Sequence, residues 1–183
     1  MKKKGVTLIE LITVLAIMTI IFSVVYSVFS AGNNIYNKGS NEVEIQDSAR
    51  SVFLSVGENL NRAAYATVSK VTLASSNSVK VVNSYGSEIT FSNISNIVSS
   101  PFRAIYIEID STKAYLYIIK SINGRKELHR VDYVSKASGV VLVSFEDIVF
   151  TERDNIFTID FSKKDKDNNL RKYSTSVFIR NRK

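Results

Sequence analysis

The chain has 183 residues, 45% of them hydrophobic, a formal net charge of +7 and no cysteine. That length allows about one domain plus an extension, and the lack of cysteine excludes disulfides, thiolate metal sites and cysteine nucleophiles. The charge sits at the two ends: Lys2, Lys3 and Lys4 supply three positive charges, residues 162–183 carry eight Lys/Arg against two Asp, and residues 5–161 are left at −2.

In chain order the first element is apolar. After three lysines comes Glu10, and no further charge appears until Lys38. An acidic side chain costs roughly 2.5–3.5 kcal/mol at the centre of a membrane helix, so Glu10 at the edge of such a segment calls for a partner. Leu11 to Phe29 is 19 residues without a charge, Pro or Gly, and a helix of that length nearly spans a hydrocarbon core of about 30 Å. The run is too long for the core of a secretory signal peptide, usually about 7–15 residues, and Val28 and Ser30 offer only a weak cleavage site. Lys2 to Lys4 hold the N-terminus in the cytoplasm by the positive-inside rule, which places the rest of the chain outside.

Residues 31–41, AGNNIYNKGSN, hold two glycines and four asparagines, all poor helix formers, and predict a weakened or kinked passage. Apolar and small residues then recur at Ile45, Ala49, Val52, Phe53, Val56, Leu60, Ala63 and Ala64, with Asp47, Arg50, Glu58, Asn59 and Arg62 mostly opposite. Steps of three and four predict an amphipathic helix whose stripe packs on the protein's own sheet, with a partner-binding surface as the alternative.

From Val68 the texture is β. VTLA, SVKVV, SEITF, AIYIEI, AYLYII, VVLVSF, NIFTIDF and STSVFI are short runs rich in Val, Ile, Tyr, Phe and Thr. Turns are predicted at 83–87, 121–125 and 163–169, with Asn123-Gly124 the clearest hairpin signal. Pro101 is expected to bound a strand. The layout predicted is one long N-terminal helix followed by a mostly antiparallel sheet of about eight strands.

Catalytic constellations are scarce. His129 is the only histidine, so a histidine metal cluster is excluded; a hydrolase triad would have to assemble around it from other segments, and its strand-like context predicts that it caps or lines a sheet surface. Neither a phosphate-binding glycine loop nor a zinc-protease helix motif occurs. The pairs Glu146-Asp147 and Glu108-Asp110 are expected by chance at this charge density. Asp165, Asp167 and Asn169 follow the first ligand positions of a calcium loop, but Leu170 stands where its glycine belongs and Ser176 where its glutamate belongs, which predicts a solvated hairpin tip. No catalytic residue, metal or cofactor is expected. Lys163, Lys164, Lys166, Arg171, Lys172, Arg180, Arg182 and Lys183, with Tyr173 and Phe178 nearby, form the one segment suited to a polyanion such as nucleic acid.

The opening resembles the class III signal of type IV pilins and of the pseudopilins of type II secretion: KKKG stands directly before VTLIELITVLAIMTII. That resemblance implies cleavage after Gly5 by a membrane prepilin peptidase, N-methylation of the new first residue Val6, and Glu10 as the fifth mature residue. It implies a cationic leader of Lys2, Lys3 and Lys4. Glu10 would neutralise the freed amine within a bundle of like helices, setting axial register between subunits, because a charge in such a bundle is tolerable only when paired. Phe or Met stands more often in the family where Val6 stands here. The implied fold is α+β, a pilin-like ladle: a leader at 1–5, an apolar transmembrane and filament-core helix at 6–31, its amphipathic second half at 32–67, and a β-rich head at 68–183. The implied partners are other major and minor pilin-like subunits, the prepilin peptidase and an assembly platform in the inner or cytoplasmic membrane. IQDSARSVFLSVGENLNRAA and the closing STSVFIRNRK are similar to the W-type minor pilins and the related J-type pseudopilins, implying a tip or initiation subunit. Two rival readings stand: a membrane-anchored extracytoplasmic binding protein, and a pilin that takes up DNA through its basic C-terminus.

Overall fold

A computed structural model describes residues 7–75, 77–92, 94–98 and 103–179. Helix α1 runs from Leu8 to Arg62. Eleven strands follow among the described residues: β1 (Tyr65–Thr67), β2 (Val71–Ser75), β3 (Ser78–Val82), β4 (Glu88–Phe91), β5 (Ala104–Asp110), β6 (Lys113–Ile122), β7 (Arg125–Asp132), β8 (Ser138–Val143), β9 (Asp147–Arg153), β10 (Ile156–Lys164) and β11 (Leu170–Phe178). The fold is therefore α+β, as the sequence predicts. Its contacts divide into two units, one ending at Val43 and the other beginning at Glu44.

In the first unit the helix passes unbroken through residues 31–41, where composition predicts a weakening. Each glycine costs about 0.8–1 kcal/mol in a helix interior. Ending the helix there would strip partners from several backbone N–H and C=O groups at once, a larger penalty. The large apolar side chains from Leu8 to Phe29 are exposed, Ile9 by 74% and Phe29 by 72%. Thr13, Thr19 and Ser23 donate their hydroxyls to the carbonyls of Ile9, Leu15 and Ile20, at 2.7, 2.6 and 2.9 Å. The helix thus presents almost no unsatisfied polar group along this stretch, and it is long and apolar enough to cross a membrane.

The second unit contains three antiparallel sheets where the sequence predicts one: β1-β5-β6-β7-β8, β11-β10-β9 and β2-β3-β4. The reason lies in the central strands. Residues 104–107 and 114–119 are continuous apolar runs, and a strand apolar at successive positions is buried on both faces. On one face Ile105, Ile107, Tyr117, Ile119 and Leu128 meet the helix stripe and the inner face of the β9–β11 sheet. On the other, Ala104, Tyr106, Leu116, Ile118 and Val131 meet Val71, Val79, Val81 and Phe91 of the β2–β4 sheet. The register agrees, since Ile105 pairs with Tyr117 and Ala104 with Ile118. In the β9–β11 sheet Ile148, Phe150, Phe157, Ile159 and Phe161 point inward, while Thr158, Asp160 and Ser162 alternate outward.

The helix stripe packs on the protein's own sheets: Ile45, Ala49, Val52, Val56, Leu60 and Ala63 are buried. Ala64 is exposed, because the helix ends at Arg62 and the chain turns into β1 before reaching it. Tyr117 ties sheet to helix, its hydroxyl donating to the Ser55 carbonyl at 2.8 Å and accepting from Asn59 Nδ2 at 2.6 Å. The Asn123-Gly124 hairpin joins β6 to β7 with both residues at positive φ, 50° and 75°, as a two-residue turn of the primed type requires. A second such turn, Asp154-Asn155 at φ 51° and 65°, joins β9 to β10. β8 ends at Val143, short of the VVLVSF run, because Ser144 adopts a left-handed φ of 62°. Pro101, expected at a strand boundary, lies outside the described residues.

Leu60→Ala empties a fully buried position and is expected to cost about 2–5 kcal/mol, against no more than about 0.5 kcal/mol for Leu54→Ala on the exposed side. Denaturation of the full chain in detergent, followed by tyrosine fluorescence, measures both.

Candidate functional site

The signal region is built around Glu10. Thr7 stands just before the first helical residue, and its carbonyl accepts from Leu11 N at 3.2 Å, which makes it the N-cap. Glu10 Oε2 accepts from Thr7 N at 2.9 Å, and Thr7 Oγ1 accepts from Glu10 N at 3.4 Å. The threonine hydroxyl can instead donate to Oε2, 3.0 Å away. Thr7-Leu8-Ile9-Glu10 is thus a capping box, in which a hydroxyl and a carboxylate three residues apart satisfy orphan donors at the helix start. The sequence carries this T-x-x-E signal openly, but a search for an intermolecular partner passes over it. Only Oε2 is engaged; Oε1 makes no hydrogen bond among the described residues. Gly5, Val6, Lys2, Lys3 and Lys4 lie outside the described residues.

Three of the described cations of the basic C-terminal segment lie beside acidic side chains. Lys163 reaches from β10 to α1, donating to Glu44 Oε1 at 3.0 Å and Ser48 Oγ at 3.2 Å, and its charge holds the Glu44 carboxyl below the usual range. Lys164 lies 3.8 Å from Glu146, and Arg171 bonds Asp165 at 3.3 Å. Lys172 is exposed on β11. Tyr173 packs against Phe161, away from any stacking role, whereas Phe178 is exposed. Arg180, Arg182 and Lys183 lie outside the described residues.

The calcium-like loop is a hairpin tip. Asp165 accepts from Asn169 N at 2.8 Å, from Asn169 Nδ2 and from Arg171 Nε, and the Asn169 amide leads in holding its carboxyl below the usual range. Those bonds occupy the lone pairs a cation would need. No cluster of three or more His, Asp or Glu suited to a metal occurs among the described residues. The chance carboxylate pairs have structural partners: Glu108 accepts from Ser84 and Tyr106, Asp110 from Thr112, and Asp147 from Arg103. Beside Glu108, burial pushes the Tyr106 phenol far above its usual range.

His129 is buried on a face of the central sheet. Its Nε2 lies 2.9 Å from Glu127 Oε2 and its Nδ1 3.2 Å from Ser138 Oγ. An ionised carboxylate only accepts, so in the neutral ring Nε2 carries the proton and the Ser138 hydroxyl donates to Nδ1. The order Ser-His-Glu is that of a hydrolytic triad, yet Ser138 lies on a regular strand paired with Val131. A nucleophile elbow instead lifts its serine on a strained turn.

The family model described as the prokaryotic N-terminal methylation motif matches residues 1–26. Neither a curated protein nor a solved structure matches the chain. The motif and the exposed apolar helix together mark a type IV pilin-like prepilin signal with a transmembrane segment.

Thr7→Ala removes the cap while leaving Glu10 in place. A loss of about 0.5–2 kcal/mol is expected at the helix start, read as faster amide exchange at Leu8, Ile9 and Glu10 in micelles with no change beyond Thr19.

Proposed function

We propose that this prepilin is a structural subunit, of the minor class, of a type IV pilus or pseudopilus. The methylation motif indicates a structural protein that is processed by a prepilin peptidase and assembles with other pilin-like subunits. On this reading the peptidase cuts between Gly5 and Val6, Val6 is N-methylated, Lys2 to Lys4 hold the leader at the cytoplasmic side, and the head lies outside. The single observation that carries the reading is Glu10 at the rim of an apolar helix face that stands exposed among the described residues.

Two demands meet at that carboxylate. Oε2 serves the capping box of its own helix, and Oε1 is left to receive the amine that cleavage exposes on Val6 of a neighbouring subunit. A paired charge in a helix bundle costs far less than an unpaired one, so the contact sets axial register while the apolar stripe supplies the cohesion. An assembly platform in the membrane would draw the subunit from the bilayer into the filament. The similarity of residues 45–64 and 174–183 to W-type minor pilins supports a place at the tip or in the initiation complex.

Intact-mass analysis of membrane-extracted protein is expected to show loss of residues 1–5 and one added methyl group; retention of Met1 to Gly5 would refute the assignment. Glu10→Gln separates the two roles of the side chain, because glutamine also completes a capping box but carries no charge. Cleavage and membrane insertion should persist while incorporation into sheared filaments falls. Incorporation equal to the parent would leave Glu10 as a helix cap only.

A further inference from the structure

The face of the central sheet that meets β2–β4 does not end in apolar residues. Beyond Ile118 on β6 comes Lys120, and beyond His129 on β7 comes its ladder partner Glu127. The Lys120 ammonium is half-buried and makes no hydrogen bond among the described residues. Burial pulls its proton affinity below the usual lysine range, with Glu127 opposing. Glu127 is not free to satisfy it fully, because its Oε2 holds His129. A second cation, Lys136, lies 4.3 Å from the Tyr133 ring centre and 5.4 Å from that of Phe91. Aromatic faces fix this ammonium, and no carboxylate among the described residues pairs with it.

Both lysines line one cavity of about 290 Å³, whose lining also includes Phe91, Ile94, Val131, Ser92 and Ser138. Two cations, two hydroxyls and an apolar wall form a site that favours negative charge, and the wall strengthens the attraction by excluding water. Among the described residues Glu127 is the carboxylate facing Lys120, and it leaves an excess of positive charge even with His129 neutral. The volume is near the lower limit of small-molecule sites, about 300–1,000 Å³, which admits a compact ligand and not a polymer. We propose that this cavity binds a small anion, a carboxylate or phosphate group on a compact body, through Lys120 and Lys136. Ser138 takes part through His129: its hydroxyl proton is directed at Nδ1, so its oxygen is positioned in the cavity lining by the Glu127–His129 pair. The site belongs to the head alone and does not depend on the assembly role of the helix.

The test is calorimetric titration of the full chain in neutral detergent, at fixed ionic strength, with inorganic phosphate, acetate and a monosaccharide carboxylate. Saturable binding is expected in at least one arm, with Lys120→Met and Lys136→Gln each weakening it by about tenfold or more, the loss of one bond to a charged group. Lys172→Gln, outside the cavity, should leave it unchanged. Response to phosphate alone assigns a phosphoryl ligand, and response to the two carboxylates alone assigns a carboxylate. No saturable heat in any arm, or an equal loss in Lys172→Gln, overturns the proposal. Should Lys120→Met fail to fold, the exposed Lys136→Gln carries the comparison.

Discussion

The constraint on which the head depends is a central sheet that is apolar on both faces. Five of the seven residues of β5 and five of the ten of β6 are buried, on both faces, and burying such strands on one side only would leave a row of Ile and Tyr side chains in water at about 25 cal/mol per Å². Two covers follow. The helix stripe and the β9–β11 sheet close one face, and the β2–β4 sheet closes the other. Acidic residues serve this layering. Glu152 accepts from Val68 N at 2.9 Å and holds the β1–β2 connection against β9. Glu108 fastens the turn after β3, and Asp147 joins the start of β5 to β9 through Arg103.

The same rule, applied where no cover exists, gives the N-terminal unit its character. From Leu8 to Phe29 the helix offers apolar side chains on all sides, and its hydroxyls fold back onto the helix's own carbonyls. Such a surface is stable only in lipid or among like helices. At its edge, one carboxylate terminates the helix in an ordered way with one oxygen and keeps the other available. A valine or leucine at that position could not complete the capping box.

The basic C-terminal segment illustrates how pairing changes a reading. As sequence it is a run of cations; in the fold Lys163 clamps β10 to the helix, and Lys164 and Arg171 each have an acid nearby. Side chains spent in this way are poorly placed for phosphate. Two other cations, Lys120 and Lys136, line a cavity in the middle of the chain, where charge counting by segment sees only a slightly negative region.

Much of this was legible beforehand. The stripe at Ile45, Ala49, Val52, Val56 and Leu60 repeats at the helical period, the Asn123-Gly124 dipeptide demands positive φ, and the Gly5–Glu10 spacing carries the signal motif, because each is a local property of a few neighbouring residues. Strand β9 was not among the predicted runs: Ile148 and Phe150 are its only fully buried side chains, and the charged Asp147, Glu152 and Arg153 flank them. Nor could the division into three sheets, the Glu127–His129–Ser138 chain or the lysine-lined cavity be read from the letters. His129 meets Ser138 only because β8 pairs antiparallel with β7, with Ser138 opposite Val131 and so diagonal to His129, and Phe91, Lys120 and Lys136 come together only when two sheets stack. Periodicity and turn chemistry are written in sequence neighbours, whereas which faces meet is settled by packing between strands distant along the chain.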